Sequence, residues 1–241
     1  MNILVIAAHP DDEVLGMGGT IKKYTKLGHR VKILIMSTGI ESRRDIHYKN
    51  NSNYDLKDEF KKKIKTQILD LQKDSKKSAK ILGVKYIDFL DFPDNEMDLV
   101  SNLQVTKSIE KQIDSFKPEI VFTHNSNDIN IDHRICYNAT VTATRPKPNS
   151  FIRKVFSYEV PSSTEWNFSS TYSPNVFVDI TKEISAKKQA LEAYRNEIQK
   201  FPHPRSSDAL DSISKRWGTV CGFNYAEPFF LIRDIEKNII L

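Results

Sequence analysis

Six consecutive apolar residues, Ile3 to Ala8, run without a break into "HPDDE" at positions 9–13. An apolar run of that length, closed by a proline turn, reads as a strand buried on both faces. "GMGG" then leads into "TIKKYTKLGH", where Ile21, Tyr24 and Leu27 recur at helical spacing and Gly28 stands where a helix would stop. "VKILIMS" (31–37) is a second strand of the same buried kind. A strand, a helix and a strand in so short a space predict a parallel pair joined by a crossover, and hence a sheet with helices on its faces.

The pattern continues along the chain. Residues 39–57 are polar and asparagine-rich and read as a long loop, a length uncommon in compact domains unless it serves a site or is mobile. From Asp58 to Leu82 lysines alternate with Phe60, Ile64, Ile68, Leu71, Ala79 and Leu82 at helical spacing, so the lysines read as a solvated helix face and not as a nucleic-acid surface. "KYIDFLDF" (85–92) and "EIVFTH" (119–124) are further strands, separated by an amphipathic helix over 103–116, and another helix is expected from about Asp132 to Ala143. Strands at "RKVFSYEV", "NVFVDI" and "EPFFLIRDI", a long helix over 181–201 and a shorter one after "PHPRS" complete the reading. The expected fold is α/β: one Rossmann-like three-layer domain with a central, mainly parallel sheet. Its core covers about 1–145, and a small α+β elaboration covers about 146–241.

Charge and cysteine usage narrow the class. The formal charge of +5 is spread over many lysines and forms no basic block, which argues for solubility and against a nucleic-acid partner. Cys136 and Cys221 are far apart and match neither a disulfide framework nor a zinc knuckle. No stretch approaches the ~18 apolar residues of a membrane span, and "MNILVIAAH" lacks the basic start of a signal peptide. A cytoplasmic protein is the expectation.

The polar chemistry gathers at two strand ends. The first strand ends in His9, Asp11 and Asp12; the fourth ends in His124, followed by Asp128, Asp132 and His133. In open parallel sheets ligands bind beyond the carboxyl ends of the strands, and imidazole with carboxylate favours zinc or a similar divalent ion. His9 and Asp12, three residues apart, can face one ion from a tight turn, and Asp132-His133 is the natural source of a third ligand. Three protein ligands leave a place for water, the open form of a catalytic site. Asp11, between the two proposed ligands, need not coordinate and can take a proton from that water and return it to a leaving group. The bland alternative is that the three acids Asp11 to Glu13 merely suit the positive end of a helix. "GMGGT" lacks the spacing of a phosphate loop, so its glycines are expected to allow close helix–sheet packing.

"AHPDDE" at 8–13 with a downstream "DHR" at 132–134 resembles the PIG-L (LmbE-like) family of metal-dependent N-deacetylases. The similarity extends to "TATRP" (142–146), "YEVPSSTEW" (158–166), "PHPRS" (202–206) and "AEPF" (226–229). The resemblance implies that His9, Asp12 and His133 hold Zn²⁺, with Fe²⁺ as another candidate ion, and that Asp11 is the general base and then acid. Asp132 joins the catalytic group. The family's usual motif is His-x-Asp-His, whereas this chain has "NIDH"; Asn130 therefore either supports the oxyanion or shapes the loop. Arg44, Arg145, His203 and Arg205 are candidates for reading the rest of the ligand, since arginine suits carboxylate or phosphate. The implied partner is a small N-acetylated amino sugar, and homo-oligomer formation stays open. Two alternatives compete: metal-dependent hydration of an unsaturated acid, and a sugar- or nucleotide-binding module without turnover.

Overall fold

A computed structural model describes residues 1–40, 58–148 and 150–236. The expected loop at 39–57 lies almost entirely outside the described residues. Seven strands form one sheet: β1 (Asn2–Ala7), β2 (Arg30–Ser37), β3 (Tyr86–Phe92), β4 (Ile120–His124), β5 (Lys154–Tyr158), β6 (Val176–Asp179) and β7 (Ala226–Asp234). Their order is β3-β2-β1-β4-β5-β7-β6. The first five are parallel, and β7 pairs antiparallel with both β5 and β6. The expected α/β layering is therefore present, and the sheet itself runs on into the C-terminal part of the chain.

The alternation of a pleated strand sorts its residues into two layers. Ile3, Val5, Ala7, Val31, Ile33 and Ile35 bury one face beneath α1 (Asp12–Lys26), α2 (Asp58–Leu82) and α5 (Ile184–Glu192). Leu4, Ile6, Ala8, Leu34, Met36 and Val121 bury the other beneath α3 (Asn102–Phe116) and α4 (Ile131–Ala143). Because both faces are covered, the strands carry unbroken apolar runs. The last helix, α6 (Ser207–Cys221), packs on β7. Among the residues of α2 whose burial is described, the lysines point outward and Leu71, Ala79 and Leu82 inward, as the spacing predicts.

Two helices depart from the sequence reading. α1 starts at Asp12, immediately after the strand-end turn, and incorporates Gly16, Gly18 and Gly19 in spite of their poor helix propensity. A Cβ at Gly16 would stand 2.6 Å from the Glu159 carbonyl oxygen and overlap the Tyr158 ring, and one at Gly19 would stand 2.8 Å from Ile180. Close approach of the helix thus requires these glycines. Met17 leaves helical conformation (φ −147°, ψ 24°) and divides α1 in two. The long helix expected over 181–201 is a correction: α5 ends at Glu192. The chain turns there because Tyr194 is drawn into the interior, fully buried, with its hydroxyl donating to Glu13 Oε1 at 2.5 Å.

Candidate active site

The strand order reverses between β1 and β4, which opens the crevice at which ligands of open α/β sheets bind. Residues 9–13 leave the end of β1 and residues 124–133 leave the end of β4, so the topology alone brings both polar clusters to this crevice. His9, Asp11, Asp12, Asp132 and His133 are all buried there.

Three ligand-type atoms form a near-equilateral triangle. Asp12 Oδ2 lies 3.2 Å from His9 Nδ1 and 3.2 Å from His133 Nε2, and those two nitrogens are 3.3 Å apart. Zinc–nitrogen bonds of about 2.0–2.1 Å in a tetrahedron separate neighbouring ligands by about 3.3 Å, so these residues could hold such an ion. Asp12 Oδ1 is buried without a hydrogen-bond partner, a further sign of a donor set built for more than mutual contact. The charges reinforce one another. Burial opposes ionisation of Asp12, but His133 and His9 outweigh it and hold the carboxyl well below its usual range. Burial likewise lowers His133, yet Asp12 and Asp128 raise it to about 9. His9 is raised well above its ordinary value by bonds to Asp12, Asp132 and Asp94 that overcome its desolvation. Protons would compete with an ion for the same lone pairs, so binding of an ion here would weaken in acid.

Each imidazole is held from behind. His9 Nε2 meets Asp132 Oδ2 and Asp94 Oδ1, both at 3.1 Å. Asp132 is itself fixed by the backbone N–H groups of Asn95 (2.7 Å) and Met97 (3.1 Å). His133 Nδ1 meets Asp128 Oδ2 at 3.1 Å, and that oxygen also accepts from Thr164 (2.6 Å) and Ser163 (3.0 Å). This is the carboxylate–histidine pattern that orients metal-binding rings. His124 is different: its Nε2 accepts the Ala8 N–H at 2.7 Å, which ties β4 to the end of β1. Burial and the neighbouring His133 lower it well below the usual imidazole value, so it stays neutral.

Asp11 stands apart from this network. Its backbone is left-handed (φ 102°), a strained conformation for a residue with a Cβ. Its N–H donates to Glu13 Oε2 at 3.2 Å, and Tyr194 grips the other Glu13 oxygen. Both Asp11 carboxylate oxygens are buried with no hydrogen bond. The closest cation, Arg205 Nε, is 3.5 Å from Oδ2. Desolvation raises the Asp11 carboxyl to about 7; Arg205 pulls it down, and Asp12 and Glu13 push it further up.

The remaining expected residues separate. Arg205 reaches the site, braced by Ser162 Oγ at 3.1 Å. His203 does not touch the triangle: its Nδ1 accepts the Arg205 N–H at 3.1 Å, and its ring lies edge-on to Trp166. Arg145 is a correction. It follows the C-terminal end of α4, where its guanidinium meets Thr142 O (2.8 Å) and Glu110 (3.3 Å), about 20 Å of helix from His133. Arg44 lies outside the described residues. Asn130 is the N-cap of α4: its Oδ1 accepts the Asp132 N–H at 2.9 Å and its Nδ2 donates to Asn95 at 2.8 Å. The geometry thus gives it the loop-shaping task. Sequence reasoning overlooked Asp94 and left Glu13 as a helix-end acid. "FPDNE" at the end of the third strand held the missing signal, an acid after a buried run as at the other two strand ends.

Comparison with known proteins finds relatives over nearly the whole chain. The diacetylchitobiose deacetylase of Thermococcus kodakarensis is 29% identical over 243 residues, covering 98% of this chain and 85% of that protein. The structure of N,N′-diacetylchitobiose deacetylase from Pyrococcus horikoshii superposes with a TM-score of 0.74 at 25% identity, covering 96% of this chain and 84% of that one. The 4-carboxy-2-hydroxymuconate hydratase GalB of Pseudomonas putida shares the fold (TM-score 0.72, 17% identity, 100% and 99% of the two chains). The fold by itself therefore does not select one reaction. A model of the family described as PIG-L: GlcNAc-PI de-N-acetylase matches residues 4–144. With more than half of the chain matched and the strand-end motifs inside the match, the chain belongs to the PIG-L family of N-deacetylases.

Proposed function

We propose that the protein removes the N-acetyl group of an amino sugar, with His9, Asp12 and His133 holding a divalent ion, zinc in the first place, and Asp11 carrying the proton. The observation that supports this reading most is the pairing of two features: a closed triangle of ligand atoms, and beside it a buried carboxylate whose two oxygens accept no hydrogen bond. A zinc ion in such a setting supplies Lewis-acid polarisation of an acyl carbonyl and lowers the pKa of water to about 7.

The chain's own residues supply the rest. Asp11, lifted to about 7 by burial, is matched to accepting a proton from the attacking water and returning it to the departing amine. Glu13, gripped by Tyr194, accepts the Asp11 N–H and so fixes its left-handed turn. Arg205, beside Asp11, keeps part of that carboxyl ionised at neutral pH and offers donors to oxygens of the substrate. Asp132 and Asp128 orient the two imidazoles, and Asn130 caps the helix turn that carries Asp132 and His133.

The test is acetate release from N-acetylglucosamine, N,N′-diacetylchitobiose and a nucleotide-linked N-acetylglucosamine, alongside elemental analysis of the protein. Release with near one divalent ion per chain, and loss of that ion in His9→Ala, Asp12→Ala and His133→Ala, is the expected result. Unchanged metal content in all three variants would remove the proposed site. Fully loaded protein that releases no acetate from any of these sugars would remove the proposed substrate class.

A further inference from the structure

Just beyond β5 the chain places a serine where glycine would be less strained. Val160, Pro161, Ser162 and Ser163 form a turn closed by the Ser163 N–H on the Val160 carbonyl at 3.1 Å. Proline at the second position and a positive φ at the third are the pattern of a type II turn, whose third position favours glycine. Here that position is Ser162, buried and at φ 96°. Its N–H donates to Glu165 Oε1 at 2.8 Å, which holds the strained residue in place. Strain of this kind gathers at functional sites, where a side chain has a task.

The task visible here is Arg205. Ser162 Oγ accepts the Arg205 Nε–H at 3.1 Å, and Glu197 Oε2 faces Nη1 at 3.4 Å. Asp11 Oδ2 is 3.5 Å from the same Nε, beyond the length of about 2.7–2.9 Å that a charge-assisted bond reaches. Neither Asp11 oxygen accepts a hydrogen bond among the described residues. Nε carries one hydrogen, and directing it at the hydroxyl withholds it from the carboxylate. The next two hydroxyls of the loop, Ser163 and Thr164, are committed to Asp128 instead.

A guanidinium bonded directly to Asp11 would occupy the lone pairs that are to take up a proton. With no cation nearby, Asp11 would be buried beside two further acids, Asp12 and Glu13. A cation held close but out of contact avoids both. We infer that Ser162 is a positioning residue: its hydroxyl, set by a strained turn, keeps Arg205 beside Asp11 without letting it bond there. The inference rests on the proton-carrying role of Asp11 proposed above and says what keeps that carboxylate free.

The experiment has one readout that needs no substrate and one that does. In a crystal structure of Ser162→Ala, Arg205 Nε should close on Asp11 Oδ2 from 3.5 Å to about 2.8 Å. A guanidinium that keeps its distance would overturn the inference. Ser162→Gly removes the same hydroxyl and relieves the turn, so it should melt about 2–4 °C above Ser162→Ala; it should show the same closure, and it carries the test if Ser162→Ala does not fold. With a sugar that releases acetate, both variants should lose about tenfold in kcat with little change in KM. In an Arg205→Gln background the further change Ser162→Ala should cost less than about twofold, because its route through Arg205 is gone. Unchanged kcat in both single variants, or the full tenfold loss without Arg205, would also overturn the inference. If no N-acetylated sugar releases acetate, the amino-sugar reading fails by itself, and the crystallographic distance decides whether Ser162 holds Arg205 off.

Discussion

Helix α1 begins twice, and its two beginnings treat buried acid in opposite ways. At the first, Asp11 and Asp12 present carboxylate oxygens that find no hydrogen bond in the protein. At the second, after the break at Met17, the Glu227 carboxylate accepts the N–H groups of Gly19 (2.8 Å) and Thr20 (2.6 Å) and pairs with Lys187 at 2.7 Å. Glu227 and Lys187 are as buried as Asp11. The satisfied carboxylate is a structural bolt that caps an interrupted helix and pins it to β7. On the proposed function, an ion, a water and a substrate would complete the unsatisfied ones. Burial of an acid is therefore not the mark of a site; burial without partners is.

Mutation at the two ends should break this pairing in different observables. The largest effect is expected at the first. Asp11→Asn should keep its metal and lose about 10²–10⁴-fold in kcat, since an amide cannot accept the proton. The same change should raise stability. A carboxyl whose folded-state value is lifted from 3.8 to about 7 stabilises the fold below pH 3.8, and that contribution is lost as the pH rises through 7. In metal-stripped protein at pH 8, Asp11→Asn should therefore melt above the wild type; a lower Tm there would show that the Asp11 oxygens are satisfied after all.

At the second beginning the expectation is the reverse. Glu227→Gln strands the buried Lys187 and should cost about 3–5 kcal/mol of stability, read as a reduced midpoint in denaturant, while the folded fraction keeps its kcat. A loss of turnover without loss of stability would place Glu227 in the chemistry and dissolve the contrast. The smallest effect belongs to Asn130, a cap at the start of α4. Asn130→Ala should cost about 1 kcal/mol, and Asn130→Ser should recover most of it. If instead Asn130→Ala kept its Tm and lost kcat about a hundredfold, the oxyanion role that the sequence left open would be the correct one.

Much of this was legible before any coordinates. β1 and β2 are unbroken apolar runs because helices cover both faces, and the glycines of "GMGGT" pack a helix closely instead of cradling phosphate. That His9 and Asp12 would meet the Asp132-His133 pair followed from strand ends in a parallel sheet, and the choice of His133 came with the family resemblance. Arg145 was misread because "TATRP" was weighed as a motif without the helix expected over 132–143, whose far end it follows. The turn at Tyr194 was invisible because its cause, a bond to Glu13, spans 181 residues.

By itself the amino-acid sequence determined the layers of the fold and the inventory at each strand end, since both depend on local periodicity and on residue type. Only the tertiary structure decided which acids are satisfied. That property belongs to no residue alone: Asp11 and Asp12 are adjacent and chemically identical, yet one is driven up to about 7 and the other well down. The difference comes from the two imidazoles that bond to Asp12, of which His133 approaches from a helix more than a hundred residues away, whereas neither imidazole bonds to Asp11 and its desolvation dominates.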